Sequence, residues 1–132
     1  MELHVRVVEG AEVPKMDVAG KSDPYVVLTL NKSSQKWQTA TKKNTTTPVW
    51  NQEFHLPITS QLDDILTVTL YDDDNVSKDD VISNLEIQVN KLKIGHVNDS
   101  WYTLHPLAKK VSTGGKVRLV LHLDKIGKPA FQ

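Results

Sequence analysis

Apolar and polar residues alternate along most of this chain. Leu3, Val5 and Val7 alternate with His4 and Arg6, and Leu66, Val68 and Leu70 with Thr67, Thr69 and Tyr71. Leu85, Ile87 and Val89 alternate with Glu86 and Gln88, and Val117, Leu119, Leu121 and Leu123 with Arg118 and His122, while Val26, Leu28 and Leu30 share one face. A period of two places every second side chain on the same face, which is the pattern of half-buried strands. The β-branched content of these runs agrees with it. The pattern predicts eight strands, near residues 3–9, 25–31, 36–42, 49–56, 65–72, 82–89, 101–104 and 116–124. Ser22-Asp23-Pro24, Thr47-Pro48 and Thr113-Gly114-Gly115 punctuate them with turns. The stretch from Asn90 to Asn98 is expected to hold a short helical turn. Many short strands at regular spacing, without a long helical pattern, predict an all-β fold, an eight-stranded antiparallel β-sandwich.

Composition adds limits. A chain of 132 residues is one ordinary domain, large enough for a real core. We expect one module over residues 1–126, followed by a tail, 127–132, whose Gly127-Lys128-Pro129-Ala130-Phe131-Gln132 has left the strand pattern. Lys and Arg number 16 and so do Asp and Glu, so no net field favours nucleic acid, and any electrostatic function rests on local segregation of charge. The absence of cysteine excludes disulfides and thiolate metal sites, and tilts the expectation toward the cytoplasm. No signal-peptide pattern follows Met1, and no run approaches the roughly 20 apolar residues that span a bilayer. In that compartment the sequons at Asn31, Asn44, Asn75 and Asn98 carry no meaning.

Catalytic patterns are missing. His4, His55, His96, His105 and His122 form no ligand spacing and read as structural or solvent-facing. Gly114-Gly115-Lys116 lacks the frame of a phosphate loop and reads as a hairpin turn. No nucleophile has a G-x-S-x-G context, so we expect a protein that is not an enzyme.

The densest chemical signal is Asp72-Asp73-Asp74-Asn75-Val76-Ser77-Lys78-Asp79-Asp80, directly after an apolar strand. Hard cations such as calcium take about 6–8 oxygen ligands, largely carboxylate and carbonyl. A loop that leaves a strand and doubles back can aim Asp72, Asp74 and Asp80 at one point; a solvated acidic loop is the plain alternative. An EF-hand does not fit, because its sixth position would be Ser77 and its twelfth Ser83, and the flanks are strands. A second acidic element, Met16-Asp17-Val18-Ala19-Gly20-Lys21-Ser22-Asp23-Pro24-Tyr25-Val26, lies upstream. Taken alone, Asp17 and Asp23 are ordinary turn residues.

Together the two segments resemble the C2 domain family, the calcium- and phospholipid-binding module of conventional protein kinases C and synaptotagmins. The first matches D-x-x-G-x-S-D-P-Y-V and the second D-x-D-x-x-S-K-x-D, and between them Thr45 to Phe54 resembles the family's T-x-x-P-x-W-N-E-x-F strand. The opening, Leu3 to Pro14, is similar to its first strand and turn. The likeness covers residues 2–124 and implies a Greek-key sandwich of the circularly permuted, type II topology. Val81 and Ser83 depart from the phenylalanine and glycine usual there, and Gln52 displaces a glutamate.

The resemblance implies the metal ligands. They are the side chains of Asp17, Asp23, Asp72, Asp74 and Asp80 and the carbonyls of Met16 and Asp73, with Ser77 and the carbonyl of Lys78 serving a further ion in some members. Asp79 is expected to add only potential. Two or three calcium ions would occupy the loops. Val18 and Val76 would touch the membrane, and Lys36, Lys42 and Lys43 would form a head-group patch or simply a solvated edge. The expected partner is an anionic phospholipid membrane, with no nucleic acid, and the expected state is a cytoplasmic monomer recruited when calcium rises. The alternative is a calcium-independent protein-interaction module.

Overall fold

The computed structural model describes residues 1–16, 20–74 and 78–132. Its strands are β1 (Glu2–Ala11), β2 (Pro24–Leu30), β3 (Lys36–Gln38), β4 (Val49–Pro57), β5 (Ile65–Asp72), β6 (Asp80–Gln88), β7 (Val97–Thr103), β8 (His105–Pro106) and β9 (Lys116–Asp124). All pairings are antiparallel, in a four-stranded sheet of order β4-β1-β9-β7 and a five-stranded sheet of order β3-β2-β5-β6-β8.

The alternation read from sequence is the core. Leu3, Val5 and Val7 of β1, Trp50 and Leu56 of β4, and Leu119, Leu121 and Leu123 of β9 are buried in one cluster with Val26, Leu28 and Leu30 of β2, Leu66, Val68 and Leu70 of β5 and Ile82 of β6. Each fully buried Val or Leu contributes about 1.5–3 kcal/mol by leaving water.

Nine strands among the described residues replace the eight expected. The extra one, β8, pairs only Asn84 with His105 and Ser83 with Pro106, and two residues carry no readable period. β3 is shorter than 36–42. Beyond Gln38 the chain still runs along β2, with Thr39 N donating to Val26 O at 2.9 Å and Lys42 N to Pro24 O at 3.1 Å. Three residues on one side now span two on the other, as in a bulge, and the Ala40 amide turns to Gln52 Oε1 at 2.6 Å. β7 begins four residues earlier than its alternation suggested, because it is an edge paired only to β9 and its polar residues face water. A 3₁₀ turn, Val89–Lys91, opens the segment expected to hold a helical turn.

Gly114-Gly115 is not a tight hairpin turn. These residues close the connection from Thr103 to Lys116, where Leu104 N donates to Gly115 O at 2.9 Å. A Cβ on Gly114 would collide with the Leu104 carbonyl and come within 2.8 Å of Ser83 Cβ. Ser83, fully buried, donates its hydroxyl to the Gly114 carbonyl at 2.7 Å. Ser83, one of the departures from the family pattern, therefore has a partner of its own.

Candidate metal site at one end of the sandwich

Three strands bring carboxylates to the same end. Pro24 opens β2 opposite Asp72, and Asp72 closes β5 opposite Asp80, the first residue of β6. Asp23 therefore stands beside Asp72, and its amide donates to Asp72 Oδ1 at 2.8 Å. The Asp73 amide returns a bond to the Asp23 carbonyl at 3.0 Å. Asp72 is buried, although it ends a strand, because its parity is that of Leu66, Val68 and Leu70.

The upstream loop is fixed from below. The Ser22 hydroxyl donates to Pro14 O at 2.7 Å and accepts from Met16 N at 3.2 Å, which brings Met16 back toward Asp23. Asp23 Oδ1 accepts the Asn44 amide at 2.6 Å, and Asn44 has a positive φ of 53°. Asn is among the few residues that tolerate that region. The Asn44 side chain in turn accepts the Lys21 amide at 3.1 Å.

Two of the aspartates have other work. Asp79 accepts the Tyr25 hydroxyl at 2.5 Å and the Asp74 amide at 3.0 Å. The Tyr25 bond, then the Asp74 amide, holds the Asp79 carboxyl below the usual carboxylate range. Burial first, then the same bond, pushes the Tyr25 hydroxyl far above its ordinary value. Tyr25 also stacks on Tyr71, its cross-strand partner, with ring centroids 5.3 Å apart. Asp73 Oδ2 accepts from the Thr41 hydroxyl at 3.2 Å. Asp73 and Asp79 are the positions at which no side-chain ligation is expected.

Asp17, Val18, Val76 and Ser77 lie outside the described residues. Among the described residues no three His, Cys, Asp or Glu side chains form a group that could hold a metal. The implied set takes its fifth carboxylate from Asp17. Asp23, Asp72, Asp74 and Asp80, with the Met16 and Asp73 carbonyls, offer only hard oxygen donors, the donor class that suits calcium.

The structure adds Lys109 and Lys110, two cations that the sequence pattern did not mark. A cleft of about 580 Å³ beside Asp79 and Asp80 is lined by Lys78, Lys109 and Lys110, and Lys110 Nζ lies 3.8 Å from Asp80 Oδ2. Lys109 and Lys110 sit between β8 and β9, far from the acidic motif in sequence, and the β6–β8 pairing together with the Leu107 and Ala108 amides on Ile82 O brings that connection alongside. Lys36, by contrast, lies on β3 at the edge of its sheet, with Lys42 and Lys43 beyond the end of that strand.

A family model described as "C2 domain" matches residues 1–104. The chain belongs to the C2 domain family. It is 34% identical over 105 residues to cytosolic phospholipase A2 delta of Mus musculus, covering 79% of this chain and 13% of that protein. With Synaptotagmin-A of Diplobatis ommata it shares 32% over 137 residues, covering 91% of this chain and 32% of that protein. The C2 fold itself superposes on a C2 domain of plant Extended Synaptotagmin 1 with a TM-score of 0.86 at 20% identity, over 96% of each chain. A calcium-bound structure of two C2 domains of Extended-Synaptotagmin 2 matches with a TM-score of 0.76 at 27% identity, over 92% of this chain and 44% of that one. These homologues support a membrane-targeting module. C2 modules are typically non-catalytic, and among the described residues no helix is long and apolar enough to cross a membrane.

Proposed function

We propose that this C2 domain binds calcium at the β2–β5–β6 end and is thereby recruited to anionic phospholipid membranes. The observation that carries the reading is the register that sets Asp72 opposite Asp80 at strand ends, with Asp23 just before β2 and Asp74 two residues past Asp72. Asp17 would complete the carboxylate set, Met16 and Asp73 would add carbonyls, and Ser77 and Lys78 would serve a further ion. The calcium-bound state of the structural relative supports the choice of ion.

Without metal, converging carboxylates repel one another and disfavour a closed arrangement. Calcium, when bound by loops alone, keeps coordination positions that lipid phosphate or carboxylate oxygens can fill. Each ligand then strengthens the other's binding by linkage. Val18 and Val76 are small for membrane anchors, so attraction to the surface is mainly electrostatic. The module is a cytoplasmic monomer without catalytic activity of its own.

Calorimetric titration with calcium, with and without anionic liposomes, tests the proposal. Micromolar to millimolar affinity that tightens with liposomes is the expected result. Absence of calcium heat in both arms would favour the calcium-independent protein-interaction reading.

A further inference from the structure

The register of the four-stranded sheet lines up three histidines. His55 on β4 faces His4 on β1, and His4 faces His122 on β9. Their sequence neighbours Leu3, Val5, Leu121 and Leu123 belong to the core, so the imidazoles share the outer face. Yet His4 and His122 are only 3% and 0% exposed. Part of their cover is the segment after β9, which turns through Lys125 and Lys128 and returns Phe131 to the sheet. The Phe131 ring lies 6.0 Å from that of His4 and 6.4 Å from that of His122, and the Arg6 guanidinium sits 4.6 Å from its centroid. The Phe131 amide is 2.8 Å from His122 Nδ1.

That bond fixes a protonation state. A backbone N–H only donates, so His122 Nδ1 carries the lone pair and the ring proton sits on Nε2, 3.2 Å from Asp124 Oδ2. A second proton has to land on Nδ1, where it would point at the Phe131 N–H. The neighbouring pair is constrained in the same way. His4 Nδ1 and His55 Nδ1 are 2.6 Å apart, so one donates and the other accepts, and both rings cannot be charged in place. His4 Nε2 is buried without a hydrogen-bond partner among the described residues.

We propose that residues 125–132 form a proton-released cover over this face of the sheet, with His122 as the trigger. Protonating His122 breaks the bond that holds the Phe131 backbone, and the row becomes cationic beside Arg6. The groups facing it are few. β1 contributes Glu2, 3.7 Å from His4 Nε2, and Arg6, which pairs with Glu53 of β4 at 2.6 Å. β4 adds His55, β9 adds Asp124, and β7 offers uncharged Val97 opposite His122. The cover itself brings Lys125 and Lys128. Glu2 and Asp124 favour added charge, but both stand on the Nε2 side of their histidines and leave the His122 Nδ1 conflict in place. Burial, the largest influence on His4, opposes its charging as well. Once the cover leaves, each ring nitrogen can donate to water, so acid favours the uncovered state.

Amide exchange and ¹⁵N relaxation on the whole chain in metal-free buffer test this. Protection of the Phe131 amide, corrected for intrinsic exchange, should fall about tenfold or more between pH 7.5 and pH 5.5. Its midpoint should coincide with the His122 ring titration followed by NMR. Phe131→Ala should leave residues 125–132 mobile at both pH values while β9 stays protected. His122→Gln keeps an acceptor that does not titrate, so its cover should stay protected at pH 5.5. A cover that remains protected after the wild-type His122 ring has titrated would overturn the proposal, as would equal loss in His122→Gln. If that variant does not fold, the wild-type comparison of midpoints decides alone.

Discussion

The Tyr25 hydroxyl lies 2.5 Å from Asp79 Oδ2, joining the start of β2 to the loop that follows β5. Asp79 also takes the Asp74 amide, so a residue without an expected ligand role braces one with such a role. Tyr25→Phe keeps the stack on Tyr71 and removes only the brace. Its melting midpoint should drop by roughly 2–6 °C, and calcium affinity should weaken while the fold is kept. An unchanged calcium isotherm would show that the brace does not shape the loop.

Asp74→Asn should abolish calcium-dependent sedimentation with liposomes and leave the circular dichroism spectrum intact, because loop residues contribute little core. Asp79→Asn is its control. It should lower thermal stability slightly, through a weaker Tyr25 contact, and still sediment. Equal loss in both variants would mean that bulk acidity of the loop, rather than ligation, drives recruitment.

Calcium should raise the melting midpoint and magnesium should do so far less, since magnesium gives up its water reluctantly. Sedimentation with phosphatidylserine liposomes should need calcium and should weaken as salt rises, because surface attraction decays over about 8 Å at physiological ionic strength. Replacing Lys109 and Lys110 together with Gln should steepen the lipid requirement, as their cleft adjoins the aspartates. Sedimentation that is the same with chelator would exclude the calcium-dependent mechanism.

Gly114→Ala should destabilise the domain by about 2–4 kcal/mol, since backbone at Leu104 stands where the methyl must go. Ser83→Ala, which strips a buried bond without a clash, should cost about 1–2 kcal/mol. Urea denaturation separates the two. A milder Gly114→Ala than Ser83→Ala would mean that the 104–115 connection yields easily.

Acid should weaken the fold through His4. Burial holds its pKa below the ordinary 6.5, so below that pH the unfolded chain takes up a proton that the folded one resists. Stability is full above pH 6.5 and falls as pH drops from there toward the lowered value. Asp124 stays ionised through this window, because the Lys125 amide, its largest influence, holds its carboxyl below the usual range. His4→Gln should flatten the decline seen in urea titrations between about pH 7 and pH 5.5.

Alternation exposed β1, β5 and β9, whose inner faces are continuous hydrocarbon, and the outer half of β6, where Leu85 and Ile87 follow the buried Ser83; β2 was read from the face shared by Val26, Leu28 and Leu30. β8 and the early part of β7 stayed hidden because an edge with polar residues carries no period. The resemblance named the aspartates, and the register sets Asp72 opposite Asp80, with Asp23 just before the start of β2. Lys110 and the histidine row were illegible for a different reason. His4, His55 and His122 become neighbours only through pairing partners, and no local spacing records which strand lies beside which.

The place of β1 between β4 and β9 has a consequence for how the chain is made. Glu9 and Arg118, joined at 3.1 Å across that seam, are 109 residues apart in sequence. On a ribosome, β1 emerges early and can zip to β4, but its other edge stays open, a row of unsatisfied amides and carbonyls. Only when Lys116 to Asp124 have left the exit tunnel can that edge close. Within this domain, β1 therefore precedes β9 by about a hundred residues yet is sealed only when β9 arrives, and until then that edge offers a template to any passing strand.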